Sequence, residues 1–348
     1  MSMENNNQIH KEKNNKIVIA VDAMGGENSP NKIIEGIELS LKESKENYFR
    51  LYGNKPQLEV LINKKDLITN YCEIIHSENN IKDDESPLTA AKKNNSSSMW
   101  QSIESQKKGK SQITLSAGNT AALLVLSRLI LNMIDGVEKP ALAGLWPNKI
   151  GMNVVLDLGA NIECNEKNLI EFGFMGAALY KALYNEIDPK IALLNVGSEE
   201  TKGTEIIKKA HQFFKGLKKS NFNYHGYIEG NHIMDGNANV IVTDGFTGNI
   251  ALKTAEGTAN FITKGLKEVL SNNLLNKLSF LLSYSALKKF RDKLDPRKYN
   301  GAILLGLNGS VVKSHGSTDA RGLAYSIKMC NKIVKGSLIE KIMKNLSN

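Results

Sequence analysis

One repeated pattern constrains the fold more than anything else in the chain. Short runs rich in Val and Ile break into loops of Gly, Asn, Ser, Thr and Asp, and segments with helical spacing follow. The runs at 17–21, 58–62, 113–115, 153–156, 191–194 and 240–242 are mostly not alternating, as suits strands of a parallel sheet buried on both faces. Between them, Ile33, Ile34, Ile37 and Leu41, and later Ala122, Leu123, Leu126 and Ile130, recur at helical period. Strand–helix alternation with right-handed crossovers predicts an α/β protein: a three-layer α/β/α sandwich around a mostly parallel sheet. No internal repeat or interdomain linker divides the 348 residues. We read 16–345 as one α/β domain, preceded by a polar, Asn-rich lead-in at 1–15 that is expected to be disordered.

The strand ends carry the chemistry. They read Asp22-Ala-Met-Gly-Gly-Glu-Asn-Ser-Pro30, Ser116-Ala-Gly-Asn-Thr120, Asp157-Leu-Gly-Ala-Asn161, Asn195-Val-Gly-Ser-Glu-Glu-Thr-Lys-Gly203 and Thr243-Asp-Gly-Phe-Thr-Gly-Asn249. Glycine lets backbone N–H groups approach a ligand, the polar residues hydrogen-bond it, and the helix that follows favours an anion at its N-terminus. If these carboxyl ends share one edge of an open sheet, they form an anion-binding crevice. For any single loop the plainer reading, a turn followed by an N-cap, is the stronger one; five together argue for the crevice.

Several familiar sites are missing. Gly109-Lys110-Ser111 imitates the end of a P-loop, but Glu104 stands at its first glycine position and the triplet precedes a strand. No dinucleotide fingerprint and no nucleophile elbow is present, and no clustered ligand set implies a metal or other cofactor. Cys72, Cys164 and Cys330 are scattered, as expected of reduced thiols in a cytosol, and Cys164 reads as a small filler and not a nucleophile. A net charge of +9 suits an acidic protein partner or an anionic surface, although scattered Lys from coding bias explains it as well. No nucleic-acid-binding module accompanies that charge, so no nucleic-acid partner is expected. No apolar run is long enough to span a bilayer, and the N-terminus lacks a signal peptide's apolar stretch.

Val21-Asp-Ala-Met-Gly-Gly26, Ser116-Ala-Gly-Asn-Thr120, Asp157-Leu-Gly-Ala-Asn161, Thr243-Asp-Gly-Phe-Thr-Gly-Asn249 and Lys313-Ser-His-Gly316 resemble, in order and over nearly the whole chain, the PlsX family of phosphate acyltransferases. The resemblance implies a fold akin to phosphotransacetylases and isocitrate/isopropylmalate-dehydrogenase-like proteins, and a homodimer. It implies the conversion of acyl-[acyl carrier protein] and inorganic phosphate to acyl phosphate and free acyl carrier protein. A membrane glycerol-3-phosphate acyltransferase would then use the product for phospholipid synthesis. Lys202, Asn249 and His315 are the implied catalytic residues. Lys202 would hold phosphate or the oxyanion, Asn249 would donate to the same charge, and His315 would serve phosphate or the leaving thiol. Asp22, Gly25, Gly26, Ser116, Gly118, Asn119, Thr120, Asn161, Asp244, Gly245, Thr247 and Gly248 are the implied substrate-binding residues. Without the resemblance, Lys202 reads as a surface lysine, while a cap or supporting role for the aspartates weighs at least as much as direct chemistry and a structural hydrogen bond for His315 weighs about as much as a chemical role. Two positions depart from the family: Asn95 stands where Lys or Arg is usual, and Glu163 replaces Asp.

The stretch 272–294 places Leu274, Leu275, Leu278, Leu281 and Leu282 on one helical face and Ala286, Leu287, Phe290 and Leu294 on another. Two short amphipathic helices breaking near 283–285 are expected. They suit peripheral membrane contact by a cytoplasmic protein, or a dimer interface. A phosphate acetyltransferase using acetyl-CoA and a non-catalytic lipid-enzyme scaffold are the competing functions.

Overall fold

The computed structural model describes residues 16–82, 84–92, 96–184, 188–217, 221–271, 285 and 295–347. The lead-in at 1–15, Asn95 and all of 272–294 except Ser285 lie outside the described residues. The strands are β1 (Ile17–Asp22), β2 (Asn47–Gly53), β3 (Cys72–His76), β4 (Ile113–Ser116), β5 (Ala141–Pro147), β6 (Met152–Leu156), β7 (Lys190–Leu194), β8 (Asn223–Ile228), β9 (Val240–Val242), β10 (Ala302–Leu305) and β11 (Ser310–Lys313). The α-helices are α1 (Asn31–Glu43), α2 (Lys55–Ile62), α3 (Asp66–Thr69), α4 (Pro87–Lys92), α5 (Ser98–Lys107), α6 (Thr120–Leu131), α7 (Glu166–Tyr184), α8 (Glu205–Gly216), α9 (Gly245–Ser271), α10 (Ala320–Lys335) and α11 (Leu338–Leu346).

The strands form one sheet of eleven in the order β3-β2-β1-β4-β11-β10-β5-β6-β9-β7-β8. Its first five strands are mutually parallel, and so are its last four. Between these blocks the joins β11–β10, β10–β5 and β5–β6 are all antiparallel. Three reversals leave the two blocks running in opposite directions. The expected α/β architecture with a mostly parallel sheet is therefore present, but the carboxyl ends do not share one edge. In the register of the sheet, those of β1, β4 and β11 lie on one side and those of β6, β7 and β9 on the other.

Helices cover both faces, because each buried strand points alternate side chains to opposite layers. Ile191 and Leu193 join the core with α1, α7 and α10, while Ala192 and Leu194 join the one with α5 and α6. Val154 and Leu156 divide from Val155 in the same way. Helix α9 lays Ala251, Leu252 and Ala255 on the second core, and from Gly257 nearly every residue is exposed. Among the described residues no helix is long and apolar enough to cross a membrane.

The apolar run at 58–62 is a helix, not a strand. Asn54 caps α2 by accepting from the Gln57 amide at 3.1 Å, Pro56 stands in its first turn, and only Leu58 and Ile62, four apart, are buried. The missing neighbour of β1 is β2, Asn47-Tyr-Phe-Arg-Leu-Tyr-Gly53, whose Arg50 and Tyr residues interrupt the apolar signal.

Candidate active site

The polar loops gather into two constellations, one on each parallel block. The first is centred on Asp22, fully buried at the end of β1. Ser98 Oγ donates to its Oδ1 at 2.6 Å and Ser116 Oγ to its Oδ2 at 2.8 Å, and the Gly118 amide donates to Ser116 Oγ at 3.1 Å. Burial pushes the Asp22 carboxyl above the usual carboxylate range, against the pull of both serines and of nearby Lys313. Gly25 is needed because a Cβ there would lie 2.6 Å from the Gly118 nitrogen and 2.7 Å from Asp22 Oδ2. At Gly26 the backbone has φ +83°, which favours glycine.

Two lysines are buried against these loops. Lys32, near the start of α1, donates from Nζ to the carbonyl of Gly316, which also accepts the Glu27 amide at 3.0 Å. Lys313, ending β11, donates to the carbonyls of Ala117 and Ser314. His315 follows on the same loop. Its amide donates to Asn300 Oδ1 at 2.9 Å, and its Nδ1 faces Ser317 Oγ at 3.0 Å. Surrounding protein and Lys313 hold its pKa below the ordinary histidine value. Asn119 caps α6 by accepting from the Ala122 amide at 3.0 Å, while its Nδ2 donates to the Glu85 carbonyl at 2.9 Å. Thr120 begins that helix with an exposed side chain.

The second constellation is centred on Asp157, also fully buried, after β6. Its Oδ1 accepts the amides of Leu142, Gly159 and Ala160 at 3.0, 3.1 and 3.0 Å. Its Oδ2 accepts both the amide and the side-chain nitrogen of Asn161, each at 2.8 Å. Burial pushes this carboxyl up, and the donors draw it partly back. The loop locks onto the start of α9, where the Gly245 amide donates to the Asn161 carbonyl at 2.8 Å. A Cβ at Gly248 would lie 1.9 Å from the Asp157 carbonyl oxygen. Asp244 caps α9, taking the Thr247 amide and Thr247 Oγ1 at 2.8 Å each. Asn249 is exposed one turn later with its side chain over Gly159.

Beyond β7, Asn195 ties its own loop together by donating to the carbonyls of Gly197 at 3.0 Å and Lys202 at 3.2 Å. The Lys202 side chain is exposed. Burial raises the Cys164 thiol to about 11, which keeps it protonated and a poor nucleophile.

The expected residues therefore divide. Asp22, Gly25, Gly26, Ser116, Gly118, Asn119, Thr120 and His315 belong to the first block, and Asn161, Lys202, Asp244, Gly245, Thr247, Gly248 and Asn249 to the second. Helix α9 links the two, since the charges of its Lys253 and Glu256 are felt by His315. Sequence reasoning missed Lys32, Ser98, Asp157 and Asn300, and quoted Lys313 without giving it a role. Asp157 lies in a string already singled out and Ser98 three residues beyond Asn95, but Lys32 carries no signal in so lysine-rich a chain.

A model of a family described as fatty acid synthesis protein matches residues 17–341. A phosphate acyltransferase of Pelagibacter ubique is 54% identical over 330 residues, covering 95% of this chain and 98% of its own. A phosphate acyltransferase of Caulobacter vibrioides is 42% identical over 330 residues, covering 95% and 91%. Among solved structures, a phosphotransacetylase from Streptococcus pyogenes superposes with TM-score 0.60 at 16% identity, over 98% of this chain and all of its own. The EutD phosphotransacetylase from Staphylococcus aureus gives 0.59 at 15% identity, over 96% and 98%. These two likenesses are of fold alone.

Proposed function

Because the chain belongs to the fatty acid synthesis protein family, and its matched relatives are phosphate acyltransferases, we propose that it moves a fatty-acyl group from acyl carrier protein to inorganic phosphate. The observation that carries this reading is 54% identity to such an enzyme over 95% of the chain. The chemistry of the loops agrees with it. A phosphate oxygen attacks the thioester carbonyl carbon; the C–O bond forms, the C–S bond breaks, and the carrier leaves as a thiolate that takes up a proton. Two anionic oxygens in one reaction call for preorganised donors and no covalent protein nucleophile.

In this reading the Asp22 constellation holds phosphate, with the Gly25–Gly26 and Gly118 backbone close to the ligand and Lys32 and Lys313 supplying positive charge. Asn249 and Lys202 serve the developing oxyanion, and His315 hands a proton to the leaving thiol or donates to phosphate. Asp244 and Asp157 act as supports that fix where Asn249 stands. The protein works in the cytoplasm as a homodimer. It touches the membrane through 272–294 and passes acyl phosphate to a membrane glycerol-3-phosphate acyltransferase. A surplus of nine positive charges suits an acidic carrier protein.

The test is release of free carrier thiol from palmitoyl-[acyl carrier protein] with and without phosphate, the product being trapped by hydroxylamine. Phosphate-dependent release with hydroxamate formation is expected. Lys202→Ala and Asn249→Ala should each lower turnover by about 10²–10³. Wild-type protein that releases no thiol would refute the reading, and variants within a few-fold of wild type would remove those roles.

A further inference from the structure

The second constellation is polar at its centre and apolar at its rim. Ile162, Val196, Phe246 and Ile250 are 75%, 79%, 58% and 50% exposed, and they fall on loops of one block of the sheet. Each directly follows an anchoring residue of its loop: Asn161, Asn195, Gly245 and Asn249. They arise from β6, β9 and β7, three neighbours in the sheet, so their loops emerge about 5 Å apart per strand. The bond from the Gly245 amide to the Asn161 carbonyl joins the two loops at the residues that precede Phe246 and Ile162. Ile250 stands one helical turn from Phe246 on the same face of α9.

We infer that this rim is the acyl-chain platform of the substrate site, an inference that rests on the proposed function and deepens it. A fatty-acyl thioester has a polar reacting carbonyl and an apolar tail. The loops that carry these four apolar side chains also carry the donors Asn249 and Lys202, so one ligand of that chemistry covers both. Covering the rim removes apolar surface from water in proportion to chain length, which makes these four residues determinants of chain-length preference and not of the chemical step.

The test uses direct binding, which needs no turnover. Acyl carrier protein bearing a palmitoyl or a butyryl group as a non-cleavable thioether is titrated calorimetrically into wild type, Ile162→Asn, Phe246→Asn and the conservative Phe246→Leu. Both Asn variants replace exposed side chains, and circular dichroism and sedimentation velocity check fold and assembly. Palmitoyl affinity is expected to fall roughly tenfold to a hundredfold in the Asn variants, with butyryl affinity within about threefold and Phe246→Leu close to wild type. Equal losses for both chains, no loss for either, or wild type that binds the two alike would overturn the inference. A change in assembly with equal losses would make the rim a contact between copies and would also overturn it. Wild type that binds palmitoyl tightly but releases no thiol with phosphate would refute the proposed function and leave the platform standing on its binding data.

Discussion

Asp157→Asn is the sharpest test of how the second constellation is held. The native carboxylate accepts five hydrogen bonds, three at Oδ1 and two at Oδ2, and is fully buried. An amide can keep only one of those oxygens. With its oxygen at the Oδ1 position it retains the three backbone donors and turns an NH2 group toward two Asn161 donors; the flipped orientation strands three. The better choice leaves the half-buried Asn161 amide and one of its two side-chain N–H groups without an acceptor, the other keeping the Pro140 carbonyl at 2.7 Å, at about 1–3 kcal/mol for each lost acceptor. Against this stands the relief of a carboxyl that burial already disfavours in its charged form. The net expectation is a loss of about 2–4 kcal/mol in unfolding free energy, read as a lowered urea midpoint with unchanged slope. Turnover should fall with it, because Asn249 of α9 lies over Gly159, whose amide Asp157 holds. A variant within about 0.5 kcal/mol of wild type would mean that this loop is organised by something other than its central carboxylate.

Asp244→Ala removes the α9 cap and should cost about 0.5–2 kcal/mol in thermal denaturation, since both acceptor bonds end on Thr247. Gly248→Ala forces a methyl to within 1.9 Å of the Asp157 carbonyl, so it should lower stability by more than about 2 kcal/mol and free the start of α9, visible as faster amide exchange there. Lys32→Met and Lys313→Met should each raise KM for phosphate about tenfold or more while leaving acyl-carrier affinity near wild type, checked by initial rates at varied phosphate. The depressed pKa of His315 gives a pH signature. The folded state binds that proton less readily than the unfolded chain, so stability is complete above about pH 6.5 and falls as pH drops through that value. His315→Gln should therefore lose less stability than wild type between pH 7.5 and 5; a gap between the two that is constant with pH would contradict this.

The parts of this fold that could be read in advance are those whose burial is uniform. β1, β4, β6, β7 and β9 lie between helices on both sides, and their Val and Ile runs say so. β2 and β8 carry Arg50, His225 and tyrosines, and they vanish into the background. The run at 58–62 looked like a strand because periodicity over five residues cannot separate a strand from a buried helical turn; Asn54 and Pro56 held the answer. The loops were legible as loops because glycine and small polar residues have few other uses. Their division between two blocks was not, since it follows from three antiparallel joins among strands as short as Ala302–Leu305. Lys32 and Lys313 were hidden for a different reason: a lysine becomes a buried donor only when distant segments close over it, and the carbonyl that Lys32 meets is 284 residues away.

The order of strands also sets a timetable for synthesis. β6, β7, β8 and β9 are contiguous between Met152 and Val242, so their block has all its strands as soon as that stretch has left the ribosome. The amino-terminal block is different: β4 takes β11 as its inner neighbour, pairing Ser116 with Lys313. Until the last strands emerge, β4 presents an open edge and the Asp22 cradle has no Lys313. The sheet of the half that is made first is therefore closed last. A nascent chain halted before residue 300 would hold every strand of the second block, still without α11, whose Asn345 Nδ2 donates to the Phe174 carbonyl of α7, beside an unpaired strand edge, the kind of surface that chaperones bind and that aggregates when they do not.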